Sequence, residues 1–233
     1  AGLPSFVEGA FMHLMALRSD PREAALACQL LHAAMAIAAA GALREVVREV
    51  AQQRLAGDLA ALALLATPWV TVTGSLAYSE SGVLLGLALA MAAALQPGAW
   101  RAGLLFGLGV ATAIGSKASS VLLVAPAALA WAATMSEGPR RPYWWCGATL
   151  AAVICLAPWL ARDAVLTSNP CFPLMSAQLG AGWWNAAQAS RFMQAHRSDA
   201  DVASRLLALW RQAMVFGVGA NPSPGEPWRV LWG

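Results

Sequence analysis

The chain has 233 residues, 59% hydrophobic and only 12% charged, with a mean hydropathy of +0.57. A soluble globular protein carries roughly 25% charged residues, so this composition excludes an ordinary water-soluble domain and points to a membrane as solvent. The net charge of +3 says little, because in a membrane protein the position of charges matters more than their sum.

In chain order, the first apolar run is Leu3 to Leu17, carrying Glu8 and His13. It reads as the end of a truncated span or as a helix lying at the interface. A bilayer-spanning helix needs about 20 mostly apolar residues. Ala24 to Leu43 fits, interrupted only by Gln29 and His32. Leu59 to Tyr78 fits in length but holds Pro68 and a hydroxyl-rich second half, "TPWVTVTGSLAYSES". Ser81 to Gln96, Ala99 to Gly115, Ala118 to Met135 and Tyr143 to Ala161 follow. Several are short, so tilt or local thinning of the bilayer is expected.

The predicted fold class is therefore all-α: a polytopic transmembrane helical bundle over residues 1–161, with about six full spans plus a partial N-terminal helix. Residues 162–233 form a C-terminal extracytoplasmic helical segment in this reading. Within it, "TSNPCFP" marks a turn. "SDADVASRLLALW" opens with Ser198 and Asp201 in a capping-box arrangement. Val202, Leu206, Trp210 and Met214 then recur every fourth residue, as in an amphipathic helix lying on the membrane or the bundle. The chain has no initiator Met and no signal peptide, and reads as an internal fragment of a longer membrane protein.

The connections alternate in charge. Arg44, Arg48, Arg54, Arg101, Arg140 and Arg141 fall in one set of loops, against Lys117 alone in the other. By the positive-inside rule the arginine loops are cytoplasmic and the tail from Arg162 is outside. Glu80 and Lys117 are then two crossings apart and share the outer side. Arg162, Asp163, Glu8 and His13 belong there too, so the ionisable groups at apolar positions converge on one face. Such charges are costly at membrane depth and usually meet a cavity or a partner.

Lys117 is the only lysine in the chain, against 14 arginines. A lysine at a helix end can simply snorkel to the headgroups. Alternatively its compact ammonium, flanked by Gly115, Ser116 and Ser119, binds an anionic group such as the phosphate of a lipid carrier. Glu80 in "AYSESG" is either a helix N-terminal carboxylate stabilised by the macrodipole or a group facing the same cavity as Lys117. In that second case it positions a hydroxyl or meets a metal ion. Tyr78, Ser116 and Arg162 join Lys117 in the candidate substrate-binding set. Trp69, Trp100, Trp131, Trp144, Trp145 and Trp159 read as interfacial anchors. His32, beside Gln29, reads as part of an interhelical hydrogen bond. The four cysteines, Cys28, Cys146, Cys155 and Cys171, lack CxxC or Cys/His spacing and read as small hydrophobes. There is no nucleotide-binding glycine loop, zinc spacing, Ser-His-Asp arrangement or nucleic-acid footprint.

The order "LPSFVEGAFMHLMAL", "TPWVTVTGSLAYSESGVLLGLALA", "LLFGLGVATAIGSKASSVLLVAP", "PWLARDAVLTSNPCFPLM" resembles the multi-spanning GT-C glycosyltransferases. Its nearest likeness is to bacterial members of the protein O-mannosyltransferase and aminoarabinose transferase group, over residues 3 to about 180. The resemblance implies a bacterial cytoplasmic (inner) membrane enzyme. Such an enzyme moves a sugar from a polyprenyl-phosphate donor to an acceptor on the extracytoplasmic face. It maps the family's acidic residue onto Glu80, its carrier-phosphate cation onto Lys117, and the connection to the cap onto Arg162 to Pro173. The family's principal carboxylate lies upstream of anything present here, and no "DD" or "DE" pair occurs. The fragment alone is therefore expected to be inactive, with Glu80 in a positioning or metal-binding role. The sequence leaves open whether a divalent cation takes part. The expected partners are membrane lipids, the lipid-linked sugar and an acceptor of undefined kind. Two other classes remain: a transporter or lipid flippase using the same polar cavity, to which the Pro68 break is suited, and a structural subunit in which Glu80 and Lys117 are dispensable.

Overall fold

Asp20 and Pro21 start the longest helix: the Asp20 carboxylate accepts the N–H of Arg22 at 2.7 Å, and Pro21 takes the first helical position, where its missing N–H costs nothing. The computed structural model describes residues 5–74, 76, 78–122, 124–135 and 141–196, with 201, 203, 204 and 207 as isolated positions. Among them there is no strand. The helices are α1 (Phe6–Ala16), α2 (Pro21–Ala51), α3 (Arg54–Ala66), α4 (Pro68–Gly74), α5 (Glu80–Ala94) and α6 (Ala99–Ser116). A 3-10 turn (Ala118–Leu122) then leads to α7 (Val124–Met135), α8 (Arg141–Thr167), α9 (Ser176–Leu179) and α10 (Ala186–His196).

The all-helical expectation holds, but six full spans do not. Among the described residues three helices are long and apolar enough to cross a membrane: Pro21–Ala51, Ala99–Ser116 and Pro142–Thr167. At 1.5 Å per residue, the 31 residues of α2 reach about 46 Å, well past the ~30 Å hydrocarbon core. Its excess is the charged segment "REVVREVA", which stays helical as its last turns. The expected span from Leu59 to Tyr78 is instead split. Thr67 is extended (ψ 119) ahead of Pro68, because the proline ring disfavours a helical residue before it. The expected span from Ala118 begins as a 3-10 turn, and α5, at 15 residues, reaches only about 22 Å.

The glycines of α6 set the packing. A Cβ on Gly103 would strike the carbonyl oxygen of Trp144, and one on Gly107 that of Ala148. Helices α6 and α8 thus touch backbone to backbone and run in the same direction. On another face Gly109 meets Ala90 and Gly86, while Gly86 meets Ala113, so α5 runs antiparallel to α6. Helix α7 closes on α5 through the Trp131 indole, which donates to the Met91 carbonyl at 3.2 Å. Phe106 and Trp144, 4.7 Å between ring centroids, fill the core with Ala90, Ala93, Ala102, Ala128, Ala132 and Ala148. Trp131 and Trp144 are accordingly packing residues rather than interfacial anchors, whereas Trp69 and Trp100 are exposed.

Ala1–Gly182 and Trp183–Gly233 form two compact units. Within the first, Asn169 is fully buried. Its amide donates to the carbonyls of Leu174 (2.9 Å) and Gly180 (3.0 Å) and its oxygen accepts the N–H of Cys171 (2.9 Å). One side chain thus closes the segment after α8 into a loop. In the second unit, α10 begins with a reciprocal cap: Asn185 accepts the N–H of Gln188 at 2.9 Å, and Gln188 accepts that of Asn185 at 3.0 Å. The sequence reading missed this helix, although Asn-x-x-Gln is its signal. The amphipathic helix read from Val202, Leu206, Trp210 and Met214 lies outside the described residues. Of its start, Asp201 accepts the Ser204 N–H at 3.2 Å.

Stability should respond differently at three positions. Gly107→Val should cost about 1–3 kcal/mol or more, because a side chain cannot enter a backbone contact. Gly41, where an added Cβ would meet nothing within 4 Å, should instead tolerate alanine and gain about 0.5–1 kcal/mol; thermal melting in detergent compares the pair. Asn169→Ala should strand two carbonyls and one N–H, at about 1–3 kcal/mol each when buried. Limited proteolysis should then cut within 168–182 while the α6–α8 contact persists.

Candidate functional site

Two helix ends meet at the site. Helix α6 stops at Ser116, and Lys117 leaves it in an extended conformation (φ −151, ψ 107). Its N–H still reaches the Ala113 carbonyl at 3.2 Å, and its own carbonyl accepts Ser120 N–H at 2.9 Å to begin the 3-10 turn. Helix α5 starts at Glu80 beside it. Because the two helices are antiparallel, the negative end of one macrodipole lies next to the positive end of the other. A cation at Lys117 and an anion at Glu80 each suit their own helix.

The side chains join. Lys117 Nζ donates to Glu80 Oε1 at 2.6 Å, with 46% of the lysine and 24% of the glutamate side chain exposed. Glu80 Oε2 is buried with no hydrogen-bond partner among the described residues. The two sequence-selected residues separated by 37 positions are therefore in direct contact, and the ammonium keeps an open side.

The other candidates fall differently. Ser116 is buried at 2% exposure and donates to the Thr112 carbonyl at 2.6 Å. It packs so closely on Gly82 that a Cβ there would meet its hydroxyl. It faces the α5–α6 seam, not the open side of Lys117. Tyr78 is exposed, two residues ahead of Glu80. Arg162 is held by its neighbour: Nη2 and Nε donate to Asp163 Oδ1 at 2.8 and 3.1 Å, and the guanidinium lies 4.6 Å from the Trp159 ring centroid. Trp159 stands 5.9 Å from Phe6, whose ring covers Gly115. Arg162 is thus at the same end of the bundle as Lys117, and Trp159 is a packing and stacking residue rather than an anchor. Asp163, 1% exposed, has Oδ2 buried with no partner among the described residues.

One contributor is legible in the sequence only in part. His32, 0% exposed, crosses from α2 to α5, where its Nε2 accepts the backbone N–H of Ser81 at 3.1 Å. Its Nδ1 lies 3.4 Å from Ser81 Oγ. The interhelical bond expected of the His32–Gln29 pair thus falls to His32 and ends one residue from Glu80. A signal exists: Ala24, Cys28, His32 and Ala36 share one buried face at helical spacing, which points His32 into the packing.

The opposite end is basic and internally paired. Arg44 Nε meets Asp58 at 2.6 Å and its Nη1 meets Glu45 at 2.7 Å, while Arg48 bridges to Glu45 at 2.5 Å. Arg101, in the first turn of α6, lies at this end, as does the start of α8. Among the described residues no group of three or more His, Cys, Asp or Glu could hold a metal ion. No family model, no curated protein and no solved structure matches this chain.

Proposed function

We propose that the chain is part of a membrane glycosyltransferase of the GT-C kind. In this reading it moves a sugar from a polyprenyl-phosphate carrier to an acceptor on the extracytoplasmic face of a bacterial inner membrane. The observation that carries the reading is the half-exposed ammonium of the chain's one lysine. It is held at a helix break, at the end of the bundle away from the paired arginines.

The carrier phosphate takes Glu80's place as the partner of Lys117. The ammonium offsets the charge that grows on the phosphate as the sugar departs, an electrostatic stabilisation worth most in a site screened from water. Glu80, released, turns its carboxylate to a hydroxyl of the sugar or acceptor, or to a divalent cation completed by ligands from elsewhere. In this reading the base that takes the acceptor's proton is a group other than Glu80. Tyr78 is exposed two residues ahead of Glu80, and Arg162, stacked on Trp159, offers a second positive group on the same side.

A transporter or flippase is the second reading, and the broken α3–α4 helix is what favours it. That break is closed by its own hydroxyls, however. Thr67 Oγ1 donates to the Ala63 carbonyl at 2.8 Å and Thr71 Oγ1 to that of Leu65 at 2.9 Å. With the Thr67 N–H on the Leu64 carbonyl at 3.2 Å, the carbonyls of Ala63, Leu64 and Leu65 each already accept a bond within the chain, which weakens that reading.

The sidedness has a direct test. In a background lacking the four native cysteines, Tyr78→Cys should react with an impermeant thiol reagent in intact cells, and Gln53→Cys only after permeabilisation. The reverse pattern would overturn the orientation. For the chemistry, Lys117→Ala in the full-length protein should lower sugar transfer from a lipid-phosphate donor by about 100-fold or more, compared at equal folded fraction because the change also strands the Glu80 carboxylate. Lys117→Arg should recover only part, since a planar guanidinium does not fit as a compact ammonium does. Equal turnover for lysine, arginine and alanine would leave snorkelling as the sole role of this residue.

A further inference from the structure

We infer that His32 is a positioning residue for the Glu80–Lys117 pair: it caps the N-terminus of α5 from another helix and so fixes where Glu80 stands. The inference goes beyond the transferase reading, because the pair needs this support whatever anion Lys117 meets.

The first N–H groups of a helix have no partner within it and are usually met by a side chain just before its start. Helix α5 lacks that device: Ser79 precedes it and makes no side-chain cap. The N–H of Ser81, in the first turn, is instead taken by His32 Nε2 at 3.1 Å, both residues being buried to 0% and 1% exposure. An imidazole nitrogen that accepts must carry no proton, so the proton sits on Nδ1, which faces Ser81 Oγ at 3.4 Å. The ring is kept in place by packing as well as by this bond. Phe11 meets it edge-on with centroids 6.4 Å apart, and Cys28, one turn earlier on α2, donates to the Phe11 carbonyl at 3.7 Å. The chain from His32 to Ser81 to Glu80 to Lys117 therefore ties α2, α5 and α6 together through polar contacts at one end of the bundle.

Glu80 depends on this more than an ordinary helix residue would. Tyr78 and Ser79, just before it, lie outside any helix, and Ser79 gives no side-chain cap. With Gly82 pressed against Ser116 and Val7, the turn is located laterally by contact. The His32 bond locates it along the axis.

Lys117 being the only lysine makes the test direct. The full chain in detergent is treated with an amine-acylating ester, and modification of Lys117 is followed by mass spectrometry. Glu80→Gln sets the rate for a broken pair. His32→Leu, which fills the space without an acceptor, should raise Lys117 acylation about fivefold or more, the effect of one lost hydrogen bond, toward the Glu80→Gln rate. His32→Gln, whose amide oxygen can take the N–H, should stay near wild type. In Glu80→Gln, adding His32→Leu should change nothing further. Wild-type rates in His32→Leu, or equal acceleration in the Leu and Gln variants at matched melting temperature, would overturn the inference. If His32→Leu does not fold, nitrogen NMR of the wild-type ring decides instead: a protonated Nδ1 with a bare Nε2 is required, and the opposite tautomer overturns the assignment. Loss of all lipid-phosphate binding would sink the functional reading and leave this result standing.

Discussion

Helix α6 can lie against two neighbours at once only because glycine lines two of its faces. Gly103 and Gly107 admit the carbonyls of α8, and Gly109 admits the backbone of α5. In an apolar solvent there is no hydrophobic drive between helices, so association rests on close van der Waals contact and on interhelical polar bonds. The first condition fixes the register of α5, α6 and α8, and register decides which ends coincide. With α5 antiparallel and α8 parallel to α6, the start of α5 and the ends of α6 and α8 come to one side. Glu80, Lys117 and Arg162 share that side for this reason and not through any attraction acting at long range.

Once the ends coincide, local rules explain the charges. A carboxylate at the first turn of α5 and an ammonium just past the last turn of α6 each complement a macrodipole. Their mutual bond at 2.6 Å removes the cost either would carry alone near an apolar phase. Ser116 illustrates the limit of composition as a guide. It is the residue before Lys117 and a hydroxyl, yet its place in the seam with Gly82 commits it to its own helix, where it bonds the carbonyl four residues back, a common fate of helical serine.

The order of apolar elements and their helical nature are legible in the sequence, as is the meeting of Glu80 and Lys117 at one end of the bundle. Lengths are not. An almost wholly apolar segment has no polar face to mark its ends, so α2 reads as stopping at Leu43 although "REVVREVA" is itself a good helix former. The two places where the expected length exceeds the real one have local causes: Pro68 breaks one segment, and the 3-10 turn after Lys117 shortens another. Helix α10 is hidden because its opening, "GWWNAAQ", looks like a loop until Asn185 and Gln188 are seen to cap one another. The contact between Glu80 and Lys117 is expected from sequence only as a shared pocket. Their direct bond depends on the α5–α6 register, which no periodicity in these Ala- and Gly-rich helices encodes.

The two ends of the bundle differ in how completely their polar atoms are matched. At the basic end, Arg44 and Arg48 share Glu45 and Asp58, all partly exposed, so that water can serve whatever the side chains leave. At the other end Glu80 Oε2 and Asp163 Oδ2 are buried without a partner among the described residues, although the second oxygen of each carboxylate holds a cation. A buried acceptor left unmatched costs about 1–3 kcal/mol, and in an apolar surround that penalty has no cheap remedy from solvent. Native proteins keep few such groups, and two of them at the end that also carries the open side of the lysine is an uneven distribution. The asymmetry separates an end whose charges are paired within reach of solvent from one where two carboxylates are each met on one oxygen only. That is why the proposed chemistry rests on Lys117 and Glu80 and not on the more numerous charges at the other side.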